Sequence, residues 1–407
     1  MRISVIASSY PRFKGDGVAP FVKSISESLH KRGHKIEVVA PYDVSVEADP
    51  EAQIKVHRFR YIWPKKGHIM GHARSLSADV KLRPLTVFLL PFYVLAATLK
   101  LMSVSKKMDA QVIHAHWVLP NGLPGAIVSK LLNIPLIISL HGSDIFMSDK
   151  NILFRAVARW VFSQSSYVTA CSQELFDRAK KINDTIHIKL IPWGADPDIF
   201  KPHDDRTEIR EKYGWVDDEI IIATLGRFVY KKGFERLITI VPDLPHEAYH
   251  VRVVIGGSGP LEQDFKDKVH RLNLQKVVSF PGQVLWHEVP NFLAAADIFV
   301  LPSQRDMAGN LDGLPTVLLE AMACGLPCVA SDVGGVSLVI DHTNNGFLFA
   351  PEDNASLRDY TIKLVTDKAC RELFGQRARA SVVEKYNWNN VAIAFEDLFT
   401  GSIESNK

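Results

Sequence analysis

The sequence predicts an α/β protein made of two doubly wound, Rossmann-like domains. Three observations lead there. The chain has 407 residues, and at ~150 residues per domain that leaves room for two or three domains. Strand and helix patterns alternate along it in two separate runs. The strands are short, β-branched and almost continuously apolar, as parallel strands covered on both faces are. Composition agrees, with 47% apolar and 23% charged residues. That balance excludes a disordered tail, a collagen-like fibre and a polytopic membrane protein.

The first run comprises a strand at Ile3–Ala7, a helix at Ala19–Lys31, strands at Lys35–Val39 and Gln111–His116, a helix at Leu123–Leu132, and strands at Leu136–Leu140 and Tyr167–Ala170. The opening Met1-Arg2-Ile3-Ser4-Val5-Ile6 reaches Pro11 too soon for the apolar region of a signal peptide, so it is expected to be a buried strand. The second run has Ile220–Leu225, a helix at Phe234–Ile240, Val251–Ile255, a helix at Leu261–Leu272, Val277–Phe280, Ile298–Leu301, a helix at Thr316–Ala323 and Cys328–Ala330. Turn residues cluster at Ile191-Pro192-Trp193-Gly194-Ala195-Asp196-Pro197, where the hinge is placed. Domains are therefore expected over 1–195 and 196–385, with 386–407 a closing segment. The halves differ in charge. Residues 1–200 carry 26 basic and 16 acidic groups, and residues 201–407 carry 22 and 29. Cys171, Cys324, Cys328 and Cys370 form no CxxC pair and suit a reduced, cytoplasmic protein.

Ligands of such sheets bind beyond the carboxyl ends of the strands, so the loops leaving those ends are the candidates. After the first strand, Ser8 to Gly17 leads into a helix, and Gly15 and Gly17 let backbone approach a ligand. An ordinary strand-to-helix loop would look the same. Gly226-Arg227-Phe228-Val229-Tyr230-Lys231-Lys232-Gly233 follows a strand directly; Arg227 as a fork and Lys232 as a point charge suit a diphosphate, although a solvated basic turn is the plain alternative. Gly256-Gly257-Ser258-Gly259-Pro260 is a tight turn and weak evidence alone.

The most informative stretch is Asp312 to Pro327. Pro315 and Gly325 frame a short helix, and Asp312 and Glu320 bracket its open N–H groups. Pro315 has no N–H, so Gly313, Leu314, Thr316 and Val317 must supply the donors. A phosphorylated sugar on this helix end, gripped by both carboxylates, is a chemical reason for the layout. The bland one makes Glu320 a surface acid.

Together these segments resemble the family-4 retaining glycosyltransferases, almost from end to end. The family's Glu-x7-Glu hallmark stands here as Asp312 and Glu320, continued by Ala321-Met322-Ala323-Cys324-Gly325-Leu326-Pro327. Gly226 to Gly233 matches its basic loop, His141-Gly142-Ser143-Asp144 its H-G-x-D loop, and Asp332-Val333-Gly334-Gly335, Ile191–Asp196 and His114-Ala115-His116-Trp117 match further motifs. The resemblance implies a GT-B fold, two Rossmann-like domains facing each other across a cleft. The C-terminal one would hold the nucleotide sugar and the N-terminal one the acceptor. It implies that Arg227 and Lys232 neutralise the donor diphosphate, Glu320 binds ribose, Asp312 and His141 contact the donor sugar, and Gly15 and Gly17 approach the diphosphate. The final helix, near Trp388 to Phe399, would return to the N-terminal domain. Retention through front-face attack needs no enzyme nucleophile, and neither a metal nor another cofactor is expected. Three positions depart from the family. Asp312 is a methylene shorter than Glu, Trp193 replaces Asn, and Val336-Ser337-Leu338 lacks the usual Pro and Glu after the glycines. A GT-B relative acting as an epimerase or phosphorylase, or a non-catalytic nucleotide-sugar binding subunit, remain alternatives.

Two signals are set aside. Asp196-Pro197-Asp198 spells a metal-binding DxD but lies on the hinge, and His114 and His116 have no third ligand placed by spacing. No nucleic acid is expected as a partner. An anionic membrane surface is, through residues 55–107. That window holds Lys55, Arg58, Arg60, Lys65, Lys66, Arg74, Lys81, Arg83, Lys100, Lys106 and Lys107 against the single acid Asp79. Within it Pro84–Leu99 is uncharged; interrupted by Pro91 and shorter than the ~20 residues of a spanning helix, it suits an interfacial segment. A buried helix with a solvated basic face, or a basic cleft for an acidic saccharide, would also account for the charge.

Overall fold

The computed structural model describes residues 1–47, 52–72, 76–78, 81–82, 84–203, 205–246, 248–307 and 309–406. The chain divides into two compact units, Met1–Pro192 with Trp388–Lys407, and Trp193–Asn387.

The first unit runs β1 (Arg2–Ile6), α1 (Pro20–Lys31), β2 (Lys35–Pro41), β3 (Lys55–Phe59), β4 (Leu76–Ala78), β5 (Lys81–Leu82), α2 (Pro84–Met108), β6 (Val112–His116) and α3 (Leu123–Leu132). It continues with β7 (Leu136–Leu140), α4 (Ser143–Lys150), α5 (Ile152–Ser163), β8 (Tyr167–Ala170), α6 (Gln173–Ile182) and β9 (Ile188–Leu190). The second unit holds α7 (Thr207–Tyr213), β10 (Ile220–Leu225), α8 (Phe234–Ile240), β11 (Val251–Gly256), α9 (Glu262–Arg271), β12 (Val278–Ser279), α10 (Val289–Ala294) and β13 (Ile298–Leu301). After these come α11 (Thr316–Ala323), β14 (Cys328–Ser331), β15 (Gly346–Phe349), α12 (Asn354–Thr366) and α13 (Lys368–Glu384); α14 (Trp388–Ser405) belongs to the first unit.

The two large sheets are parallel, ordered β3-β2-β1-β6-β7-β8-β9 and β12-β11-β10-β13-β14-β15, while β4 and β5 pair separately as an antiparallel ribbon. The doubly wound expectation holds in each half. Strand order reverses between β1 and β6 in one sheet and between β10 and β13 in the other. Loops leaving those strands splay apart there and open a crevice. The central strands are the ones with unbroken apolar runs. At the edges, β3 (Lys-Val-His-Arg-Phe) and β9 (Ile-Lys-Leu) keep most side chains partly exposed, so an apolar-run criterion does not find them.

α14 packs on α1 and β6, burying Phe395, Leu398 and Phe399 against Ile3, Val22, Ile25 and Leu29. Each such side chain contributes roughly 1.5–3 kcal/mol. Glu396 pins the contact at the rim, 2.6 Å from Arg32.

The helix expected to stop near Leu99 and to break at Pro91 does neither. α2 runs through Pro91 for 25 residues. Proline removes one N–H and crowds the carbonyl four residues back, but Pro91 and Val87 both face solvent, so water can take up that carbonyl. Segment Leu85–Met108 is thus long and apolar enough to cross a membrane, yet one stripe of it is core. Leu89, Tyr93, Ala97 and Leu101 are fully buried, and α2 packs on β1, β2 and β3. Of the basic window, Arg74, Arg83 and Asp79 lie outside the described residues.

Candidate active site

In the second unit the candidate residues converge at the β10/β13 switch point. The loop after β10 turns tightly because Phe228 is sunk into the core beside Phe234 and Phe265. Gly233 closes the loop at φ 66°, where a Cβ would lie 1.8 Å from the Pro302 carbonyl oxygen. Only glycine fits. The Gly256–Pro260 turn is explained the same way. A Cβ on Gly257 would meet the Gly226 carbonyl oxygen at 1.9 Å, so these glycines serve loop-on-loop packing.

Held this way, the loop leaves Arg227 exposed and brings two lysines to one carboxylate. Lys232 Nζ lies 2.6 Å and Lys231 Nζ 3.1 Å from the two oxygens of Asp312. Burial alone would push the Asp312 carboxyl up, but Lys232 and Lys231 outweigh it and hold it far below the usual carboxylate range. Asp312 therefore stays charged, with both oxygens engaged by cations. Lys231 is a participant the sequence reading passed over, although it stands beside Lys232 in the same loop.

Asp312 is fixed from behind by the glycine turn after β14. Gly334, at φ 60°, lies so close that a Cβ would sit 2.3 Å from the Asp312 carbonyl oxygen, and the Gly335 N–H donates to the Gly313 carbonyl. The following Leu314 is a buried anchor, 1% exposed, which leaves only its backbone for a ligand. Pro315 then opens α11, whose first internal backbone bond runs from Leu318 N–H to the Pro315 carbonyl. Thr316 and Val317 begin the helix ahead of that bond, so their N–H groups belong to the unsatisfied first turn. Glu320 follows one turn later and accepts a hydrogen bond from Thr316. Part of Glu320 stays open to solvent, yet dense protein surrounds its carboxyl and burial pushes it up to about 7. Two carboxylates eight positions apart thus have opposite protonation tendencies.

The first unit gathers a different set. Gly15 takes φ 88° and neither Gly15 nor Gly17 has anything near its Cβ position, so both sit in open space. Between them Asp16 is buried and staples the loop, accepting from the Arg12 guanidinium at 2.7 and 3.0 Å and from the Arg12 and Val18 N–H groups. At the end of β7, His141 contacts His116 through ring nitrogens 3.0 Å apart and packs beside Phe21 and Trp117. Burial pushes both imidazoles well below their usual range, and neighbouring histidines push further, so they are neutral near pH 7. Asp144, fully buried, accepts from the N–H groups of Val118, His141 and Gly142. It ties the β6 and β7 loops together. His114 lies deeper, bonded to Ser139 and covered by Phe395 and Phe399 of α14. It is core rather than cleft lining. Among the described residues no group of three or more His, Cys, Asp or Glu is arranged to hold a metal ion.

Comparisons with known proteins cover both units. The family described as Glycosyltransferase Family 4 matches residues 15–199, and Glycosyl transferases group 1 matches residues 205–381. The N-acetyl-alpha-D-glucosaminyl L-malate synthase of Bacillus anthracis is 24% identical over 100% of this chain and 99% of its own length. A GDP-mannose-dependent alpha-(1-6)-phosphatidylinositol monomannoside mannosyltransferase of Mycobacterium tuberculosis is 27% identical over 65% of this chain and 69% of its own. Among solved structures, the Anabaena HepE protein in complex with UDP-glucose matches with a TM-score of 0.74 at 21% identity, covering 98% of this chain and 100% of that one. At that identity the likeness shows the fold, which is GT-B.

Proposed function

This chain belongs to the family-4 glycosyltransferases, and from that premise we propose that it moves a hexosyl-type sugar from a UDP- or GDP-linked donor to a glycan or lipid-linked acceptor with retention at the anomeric carbon. The observation that carries this reading is the pairing of Lys231 and Lys232 with Asp312 at the mouth of the β10/β13 switch point, beside the open end of α11. Cleaving the sugar C1–O bond leaves negative charge on the departing diphosphate. Cations fixed where that charge grows act on the transition state, and such electrostatic preorganisation is usually the largest contribution. Arg227 and Lys232 take that role, with Lys231 beside them. The N–H groups of Gly313, Leu314, Thr316 and Val317 receive the distal phosphate, Glu320 receives the ribose hydroxyls, and Asp312 faces the sugar once the diphosphate has taken over its lysines.

In the first unit, neutral His141 offers a ring nitrogen to the sugar, and Gly15 and Gly17 admit the diphosphate. The attacking hydroxyl enters on the face the diphosphate leaves, and the departing phosphate oxygen takes its proton. No enzyme nucleophile and no metal is needed. A lipid-linked acceptor, in polysaccharide or glycolipid synthesis at the inner face of a membrane, is supported by the mannosyltransferase relative and by the basic, apolar segment 55–107. Four cysteines outside any disulfide suit the reducing side of that membrane.

The test is a panel of UDP- and GDP-sugars with saccharide and lipid acceptors, reading nucleoside diphosphate release and the anomeric configuration of the product by NMR. Acceptor-dependent release with retained configuration supports the reading. Donor turnover without acceptor, or an inverted product, contradicts it.

A further inference from the structure

α2 has two apolar faces, and only one is covered. At 100° per residue, the buried stripe Leu89, Tyr93, Ala97 and Leu101 and the row Phe88, Phe92, Leu95 and Leu99 lie on roughly opposite sides of the helix. The second row is exposed: Phe88 67%, Phe92 50%, Leu95 60% and Leu99 63%. Four large apolar side chains in one exposed line form the kind of patch that marks an interaction site.

The flank of this row is a groove of about 770 Å³ between α2 and the ends of β2 and β3. Leu99 belongs to both the row and the groove wall. Opposite it stand Tyr42, Arg58 and Arg60, with Lys100 and Ser103 on the helix side. Arg60 is held with its guanidinium 4.7 Å from the Tyr42 ring centroid. Arg58 is largely spent inside the protein, donating to the carbonyls of Tyr10 and Pro11. Arg60 and Lys100 therefore set the sign of the groove, and among the described residues no acid lines it. A cationic notch running into an apolar ridge matches an amphiphile with an anionic head.

We propose that this groove binds the phosphate headgroup of a membrane lipid, with the lipid chains lying along Leu99, Leu95, Phe92 and Phe88. Arg60 and Lys100 meet the phosphate oxygens and the Ser103 hydroxyl donates a third bond. Trp63, 89% exposed, follows the groove residue Arg60 by three positions in the chain. An exposed indole beside Lys65 and Lys66 suits the headgroup level of a bilayer. The proposal rests on the membrane-surface reading above and adds to it a defined lipid-binding site.

The experiment titrates the full-length protein with dihexanoyl phosphatidylglycerol below its micelle concentration, with glycerol phosphate alone, and with vesicles of phosphatidylcholine containing or lacking phosphatidylglycerol. Wild type should bind the short-chain lipid and the anionic vesicles. The Arg60→Ala/Lys100→Ala double variant should lose about tenfold or more in short-chain lipid affinity, at ~1 kcal/mol per cation. Leu99→Ser should weaken it too. Lys65→Ala/Lys66→Ala should weaken only the vesicles. Thermal unfolding checks that each variant is folded. Glycerol phosphate binding as well as the lipid would overturn the lipid assignment in favour of a soluble phosphate. Vesicle binding without short-chain lipid binding would overturn the groove and leave the membrane reading standing. Failure of both would remove both, while nucleoside diphosphate binding tests the transferase reading separately.

Discussion

The two units hold their polar groups in opposite ways. In the second, opposite charges meet at strand ends, and Lys231 and Lys232 share the one carboxylate of Asp312, leaving a net positive charge on loops forced into place by Gly233 and Gly334. In the first, two neutral imidazoles, His116 and His141, are buried in contact, and the carboxyl of Asp144 is taken up by backbone N–H groups. Charges at an open loop suit a ligand that brings charge of its own. Neutral imidazoles, fixed by packing, suit hydroxyl groups. On this ground we propose that the charged loops of the second unit recognise the nucleotide diphosphate, and that His141 of the first unit and Asp312 of the second contact the sugar.

The largest expected effect bears on the stability of one unit alone. Phe399→Ala removes a fully buried ring where α14 meets the first sheet, at a cost of ~3–5 kcal/mol. Denaturant unfolding should show the first unit melting earlier while nucleotide binding persists. Loss of nucleotide binding in step with that melting would break the separation.

Next in size is Lys232→Ala. Losing one preorganised donor to the departing diphosphate should lower kcat about 10²–10³-fold, or ~2.7–4 kcal/mol, with unchanged thermal unfolding. Near-normal turnover would remove the lysine from the mechanism. Asp312→Asn comes third and should have two opposite outcomes. Neutralising the carboxylate frees both lysines, so free UDP or GDP should bind several-fold tighter, by ~1 kcal/mol. Sugar transfer should fall because the sugar contact is weakened. Weaker nucleotide binding by calorimetry would show that Asp312 does not compete with the diphosphate.

The smallest effect is a pH dependence. The Glu320 carboxyl sits near 7 in the folded protein, above the ~4.3 of an unfolded chain. Between those values the native state holds a proton that the unfolded state has lost. Stability from this group is therefore full below ~4.3 and declines as pH rises toward 7. Ribose hydroxyls donate to the ionised form, so nucleotide affinity should rise through pH 7 by a few-fold. In Glu320→Gln both trends should flatten.

How much was legible in the sequence follows the same division. The second unit's site is written in contiguous motifs. Arg227, Lys231 and Lys232 share one loop, and Asp312 to Glu320 share one turn and helix, so local spacing finds nearly all of it. What spacing could not give was the partner of Asp312, because that depends on two loops some eighty positions apart being pressed together by Gly233 and Gly334. The first unit depends on distant contacts. His141 is a motif residue, but its bond to His116 and its seat between Phe21 and Trp117 need β6, β7 and α1 assembled. Pro91 misled for a physical reason, since the interruption it signals is relieved when the freed carbonyl faces water. β3, Lys-Val-His-Arg-Phe, carries three polar residues in five and hid inside a run of basic charge.

The most direct test of this assignment is a calorimetric titration of UDP and GDP into wild type, Lys232→Ala, Glu320→Gln and His141→Ala. Nucleotide binding should weaken at least tenfold in Lys232→Ala, at ~1.4 kcal/mol per tenfold, a few-fold in Glu320→Gln, and stay unchanged in His141→Ala. Binding that survives Lys232→Ala and Glu320→Gln but is lost in His141→Ala would contradict the assignment of the nucleotide to the second unit.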